Sequence, residues 1–290
     1  MIRSKSESVA LFGAGRVGTT VAALLGRSGR AVVGVASPQT SSAERAAQRL
    51  GCKIFVDPAE MARDADIVLI GAPDPALEHA ANAIAPGVRE KTFVCHFSGA
   101  SGTAPLVRLA EEGAETAALH PVQAFADIDT AIESLAGCAW GVTSADSHYQ
   151  RAAGLVQALD GVPVKVAERD RAVWHAAAVD ASNGLVALIA AAEMLLSEIG
   201  IPDPLGVLLP LARGTIGNIE RSSSAAAALT GPIVRGEAQT VERHLDSLAD
   251  LGHGFLGAYE RIAQMILEVA QSAGRVSEED AAAISRVLAR

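Results

Sequence analysis

The chain has 290 residues, which at roughly 150 residues per domain allows two domains or one large one. Half of the residues are hydrophobic, enough for a sizeable core, and wholesale disorder is excluded. The formal net charge of −9 speaks against nucleic acid or a membrane surface as the main partner, because both call for a basic face. The three cysteines, Cys52, Cys95 and Cys138, are odd in number and far apart. That spacing suits a reducing, cytoplasmic setting and offers no metal-ligand pairing. No stretch is expected to reach the ~18 apolar residues of a membrane span. The N-terminal MIRSKSES lacks the long apolar region of a signal peptide.

Along the first half, short β-branched runs alternate with helical stretches. Strands are expected at 8–13, 31–37, 53–57, 64–73, 92–99, 115–121, 138–143 and 162–166. Helices are expected at 16–28, 42–50, 76–84, 103–111 and 145–159. This alternation indicates βαβ units and an α/β fold with a doubly wound, mostly parallel sheet. After Val166 no further strand is convincing. A long helix over 169–199 is apolar nearly all round, which predicts burial between neighbours. Helices at 237–248, 255–272 and 277–288 follow, the last with Ser277 as its N-cap. The expected domains are therefore 1–167, Rossmann-like and dinucleotide-binding, and 168–290, all helical.

Gly13-Ala-Gly15-Arg16-Val17-Gly18 follows the first strand and opens the first helix, the setting in which a glycine-rich turn binds a dinucleotide. Gly13 makes the tight turn, Gly15 lets the pyrophosphate approach the backbone, and Gly18 lets helix and strand pack closely. The helix N-terminus complements phosphate charge, and Arg16 adds a cation beside it. An NAD-specific carboxylate is expected at the end of the second strand, about 20 residues on. That place reads Val35-Ala36-Ser37-Pro38-Gln39, and the nearest acid, Glu44, lies in the following helix. With Ser37, Ser42 and Arg45 near, the pattern favours NADP over NAD.

Ligands of open α/β sheets bind beyond the carboxyl ends of the strands. Those ends carry Ala72-Pro73-Asp74, His96-Phe97-Ser98 and His120-Pro121. Ser98 and His120 are candidate substrate contacts, while His96 is expected to point into the sheet. On the long helix, His175, Ser182 and Asn183 share one face at helical spacing. A bland core does not favour three aligned hydrogen-bonding side chains, so this column is expected to face a cleft. In the loop Thr230-Gly-Pro-Ile-Val-Arg235, the arginine is a candidate clamp for a substrate carboxylate.

Taken together, GAGRVG, HFSGASG, LHPVQAF, WHAAAVDASN, LLPLARGT and LTGPIVRGEAQTVERHL resemble a family of candidate NADP oxidoreductases. Its members join an N-terminal Rossmann-like domain to a C-terminal helical domain of unassigned function. The chain is more distantly similar to pyrroline-5-carboxylate reductase, ketopantoate reductase and the β-hydroxyacid dehydrogenases. The resemblance implies an active site between the two domains and a homodimer formed through the helical domain. It also implies nicotinamide near Ala72, Pro73 and Ser98. Ketopantoate reductases and β-hydroxyacid dehydrogenases use a helix lysine as proton donor, followed by an asparagine. Here no lysine follows Lys165, His175 stands at the donor's place, and Asn183 stands in for the asparagine. The implied activity is hydride transfer to or from a small carbonyl or imine acid. Two alternatives are an NADP-binding sensor without turnover and a ketopantoate-reductase-like enzyme.

Overall fold

The computed structural model describes residues 7–251 and 253–290. The reading of the extreme N-terminus as no leader concerns residues 1–6, outside those described. Eight strands form one sheet: β1 (Ser8–Phe12), β2 (Ala31–Ala36), β3 (Lys53–Ile54), β4 (Ile67–Ile70), β5 (Phe93–His96), β6 (Glu115–Pro121), β7 (Ala139–Ser144) and β8 (Val162–Lys165). Between them run α1 (Arg16–Arg27), α2 (Thr40–Leu50), α3 (Pro58–Arg63), α4 (Leu77–Ile84), α5 (Val107–Glu111), α6 (Ile128–Ser134) and α7 (Asp146–Gln157). The strand order is β3-β2-β1-β4-β5-β6-β7-β8, parallel throughout except where β7 runs antiparallel to β6. The order reverses direction beside β1, the switch point where such sheets open a crevice.

Alternation along the strands builds two cores. Val9, Leu11, Leu69 and Cys95 face α1 and α7 on one side, while Ala10, Phe12, Val68 and Ile70 face α3 and α4 on the other. Strand β4 is therefore apolar at every position and fully buried, as a central parallel strand must be.

Seven of the eight expected strands keep at least four residues, while β3 shrinks to two. Two short helices went unread. Asp57 caps α3 by accepting from Ala59 N (2.8 Å), and Asp127 caps α6 by accepting from Thr130 N (2.9 Å).

The chain divides into two compact units, one ending at Ser182 and the other Asn183–Arg290. The first unit thus keeps α8 (Arg171–Val179) in addition to the sheet. The second holds α9 (Leu185–Glu198), α10 (Pro204–Glu220), α11 (Ala238–Leu251), α12 (His253–Ser272) and α13 (Glu278–Leu288). Its core lies among α11, α12 and α13, around Val241, Leu245, Leu267 and Ile284. Ser277 caps α13 as expected, accepting from Asp280 N (3.1 Å).

The region 169–199 corrects two expectations. It is not one uniform α-helix, because a π-helical turn, Asp180–Gly184, separates α8 from α9. Nor is it buried: Val186 is 66% exposed, Met194 58% and Ile199 62%, and α9 and α10 bury no residue. An apolar face predicts a covering surface but not one within the same chain. Within Glu168–Glu198 an 18-residue stretch reaches a mean hydropathy of 1.5, long and apolar enough, by length and composition only, to cross a membrane. Asp180 and Glu193, its only charges between Arg171 and Glu198, are too few to lower that mean.

Candidate active site

At the end of β1 the chain turns through Gly13, whose φ of 87° suits glycine alone. Gly13 N donates to Ala36 O (2.9 Å), and Gly71 N donates to Phe12 O (2.8 Å), so three strand ends meet here. A Cβ on residue 13 would lie 2.9 Å from the Gly71 carbonyl carbon, and one on residue 18 would press Leu11 at 2.8 Å. A Cβ on residue 15 would meet only Gly71 O, at 3.3 Å. Gly13 and Gly18 therefore serve backbone packing, while Gly15 keeps the approach to α1 open. Gly15 is also the N-cap of α1, without a side-chain cap and with no acid in the first turn. The leading N–H groups, including that of Val17, are left for an anion. The Val17 side chain itself packs against the core.

A cleft of about 310 Å³ opens there, lined by Gly13, Gly15, Ser37, Ala72, Pro73 and His79 among others. Beside it lies a second cleft of about 500 Å³, with Arg16, Ser42, Arg45 and Arg49 on its walls. Ser37 Oγ accepts from Gln39 N (3.3 Å), Ser42 Oγ donates to Gln39 Oε1 (2.8 Å), and Arg45 donates to Ser42 Oγ (3.1 Å). Arg49 is neutralised by Asp129, and Arg16 donates to Ala126 O (2.8 Å). Among the described residues, no carboxylate lines the first cleft.

A second constellation gathers beyond β4, β5 and β6. Ser98 Oγ donates to Asp74 Oδ2 (2.8 Å) and accepts from Ser101 N (2.9 Å). Asp74 directly follows Pro73, so this bond ties the first cleft to the β5 end. Gly99 has no room for a side chain: a Cβ there would strike the His175 ring and lie 2.9 Å from His120 Nε2. The two imidazoles meet edge to face, with centroids 5.3 Å apart. Arg171, 1% exposed, donates to Gly141 O (3.0 Å) and to Ser98 O, anchoring α8 on two strand ends. Trp174 Nε1 donates to His120 Nδ1 (3.0 Å).

Burial, with Arg171 and His175 as neighbours, pushes His120 down to about 4, against the weaker opposing pull of Asp74. His120 is thus uncharged at neutral pH. His96 was expected to point into the sheet, but its ring bonds to the loop that follows β5. It is fully buried, with Nε2 bonded to Gly102 O (2.7 Å) and Nδ1 accepting from Ser98 N (3.2 Å). Burial pushes it to about 4 as well, and its role is to shape the loop. Among the described residues, two buried atoms here have no hydrogen-bond partner, His175 Nδ1 and Arg171 Nε.

The remaining candidates are less assembled. Ser182 and Asn183 are exposed in the π-helical turn. Their expected alignment with His175 assumed an unbroken α-helical period, which that turn interrupts. Arg235 is exposed, and Glu237 holds it through two bonds, of 2.6 and 3.2 Å. Its clamp is filled by the chain's own carboxylate. Sequence reasoning missed His79, Arg171 and a role for Asp74. Asp74 was legible, at a strand end and next to Pro73. Arg171 and His79 lie on helices, where nothing local signals burial or a cleft.

Comparison with known proteins follows this division. A Rossmann-like domain model matches residues 1–121, and a domain of unknown function (DUF2520) matches 138–266. No curated protein matches the chain. A candidate NADP oxidoreductase from Bacteroides fragilis is 23% identical, covers 90% of this chain and 98% of its own, and superposes with a TM-score of 0.73. An imine reductase from Myxococcus stipitatus, in complex with NADP+, is 16% identical over 97% and 99% of the two chains (TM-score 0.66). A pyrroline-5-carboxylate reductase from Coxiella burnetii is 15% identical over 91% and 99% (TM-score 0.58). At these identities the likeness is one of fold. The glycine turn and its sheet on one side, and a match that begins at the last two strands and runs into the helices on the other, make this chain a Rossmann-like domain joined to a DUF2520 domain.

Proposed function

We propose that the chain is an NADP(H)-dependent oxidoreductase acting on a small carbonyl or imine acid. The observation that carries this reading is the chain of contacts along one sheet edge. The glycine turn and its cleft reach Pro73, Asp74 next to it holds Ser98, and Gly99 lies against His120 and His175. The residues fit the dinucleotide. An uncapped helix start suits the pyrophosphate, and an acid-free cleft with Ser37, Ser42 and Arg45 near it suits a 2′-phosphate. The NADP complex of the Myxococcus reductase supports the same cofactor. NAD is the weaker candidate, for want of a ribose-binding carboxylate.

When bound, the nicotinamide supplies or takes up a hydride. Ala72, Pro73 and Ser98 would hold its ring. His175 delivers the proton that a reduced carbonyl or imine needs, through Nε2, since Nδ1 is buried against Gly99. His120 is uncharged and is not the acid. Holding the reactants in register supplies much of the rate.

The exposed apolar side chains of α9 and α10 support a homodimer built through the helical unit, each copy covering the other. Three free cysteines support a reducing, cytoplasmic setting.

The test is a thermal-shift series with NADPH and NADH, followed by NADPH oxidation over a panel of keto acids and cyclic imines. A ligand at roughly 100 times its Kd stabilises by about 2.7 kcal/mol, a clear shift. NADPH is expected to stabilise more than NADH. Gly15→Asp, which sets a carboxylate against the pyrophosphate, is expected to abolish that shift with the fold retained. No stabilisation by either dinucleotide overturns the reading.

A further inference from the structure

We propose that Trp174 is a positioning residue that locks His120 in the tautomer carrying its proton on Nε2, making His120 a fixed hydrogen-bond donor to an acceptor oxygen or nitrogen in front of Gly99. An indole N–H only donates, so the nitrogen it meets must present a lone pair. Trp174 Nε1 meets His120 Nδ1 at 3.0 Å. The one proton of the neutral ring is therefore on Nε2. Among the described residues nothing accepts from Nε2, which lies beside Gly99.

The sequence prepares this arrangement in three places. His120 on β6 pairs across the antiparallel ladder with Gly141 on β7. The missing side chain at 141 seats the indole, because a Cβ there would come within 2.7 Å of Trp174 Nε1 and Cε2. Arg171, one helical turn before Trp174, pins α8 to the same glycine through Gly141 O. Strand pairing, a glycine seat and a buried arginine thus converge on one imidazole tautomer.

The surroundings oppose a second proton. Protonating Nδ1 would break the Trp174 bond and place a cation among Arg171 and His175 of α8, with Asp74 as the one counter-charge. His120 can hold a substrate carbonyl, imine or carboxylate as a neutral donor, whereas a charged ring here would be a second acid. The ligand class rests on the proposed oxidoreductase reading, but the tautomer does not.

The experiment is two-bond 1H–15N NMR on the whole chain with 15N-labelled histidine, without cofactor or substrate. The wild type is expected to show His120 as a single Nε2–H tautomer that does not titrate between about pH 5 and 8. Trp174→Phe keeps an aromatic ring and removes the donor. His120 is then expected to populate both tautomers and to titrate closer to the ordinary histidine range. An Nδ1–H tautomer or an ordinary titration in the wild type overturns the proposal. So does a Trp174→Phe variant in which His120 keeps its single tautomer. The wild-type spectrum alone decides if the variant does not fold. Failure of the dinucleotide to bind leaves this measurement untouched, so the two readings fail separately.

Discussion

Gly99 and His175 occupy one space: the imidazole lies where residue 99 would carry its Cβ. The contact joins the loop after β5 to α8. It involves Nδ1 and Cγ, the root of the ring, which cannot swing away as a flexible tip does.

Gly99→Ala is therefore expected to act as overpacking. It should cost about 1–3 kcal/mol of stability and displace His175, because the ring has Gly99 on one side and His120 on the other. The urea midpoint reads the first effect. The second appears as lost turnover with unchanged NADPH affinity, since the glycine turn lies elsewhere. An alanine variant of wild-type stability would mean that α8 shifts freely.

Cofactor choice is expected to depend on Ser37. Its hydroxyl accepts from Gln39 N at 3.3 Å, a bond that an aspartate can also accept, so Ser37→Asp preserves the turn. The new carboxylate repels a 2′-phosphate and accepts from a ribose 2′-OH. Preference should move towards NADH by about tenfold or more, as each 1.4 kcal/mol of differential binding gives. The ratio of the two dissociation constants is the observable. An unchanged ratio would place the ribose elsewhere.

Stability should depend on pH through two buried imidazoles. His96 and His120 are both pushed down to about 4, below their ordinary value near 6.5. Between those values the unfolded chain binds protons that the folded chain does not. Stability is thus fully present above about pH 6.5 and is lost as pH falls towards 4, with a slope of up to about 1.4 kcal/mol per pH unit for each histidine. Asp127 and Asp129 are held below the usual carboxylate range and act only at lower pH. Urea melts at about pH 7.5 and about pH 5 should show the loss, and His96→Gln should reduce it by about half. Equal midpoints would show that neither ring is held neutral.

The sheet was legible because its strands are bounded by glycines and caps and are apolar for a local reason, burial on two faces. The glycine turn was legible because backbone geometry demands glycine at fixed spacing. Three things were not. The alignment of His175 with Ser182 and Asn183 assumed 3.6 residues per turn, and no residue type announces a π-helical turn. The exposure of α9 and α10 was hidden because an apolar face looks the same whether its own chain or another covers it. The Trp174–His120 bond joins residues 54 positions apart, brought together by a β6–β7 register that sequence periodicity does not specify.

The final prediction concerns the proton. No lysine follows Lys165, and two histidines flank Gly99. His120 is disqualified as the acid by burial and by the indole on its Nδ1. His175 remains, half-buried, and among the described residues nothing bonds its Nδ1. His175→Ala should lower turnover by roughly 10²–10⁴-fold, the usual contribution of a positioned acid, while NADPH binds nearly as before. His175→Gln keeps a hydrogen-bond donor without an exchangeable acid, so it should bind substrate and still turn over slowly. His120→Ala should behave differently: it removes a neutral donor, raising KM while kcat changes little. If His175→Ala keeps the wild-type kcat and His120→Ala loses it, the roles of the two rings are reversed. Steady-state kcat and KM of the three variants, with the substrate found by the NADPH oxidation panel, decide between them.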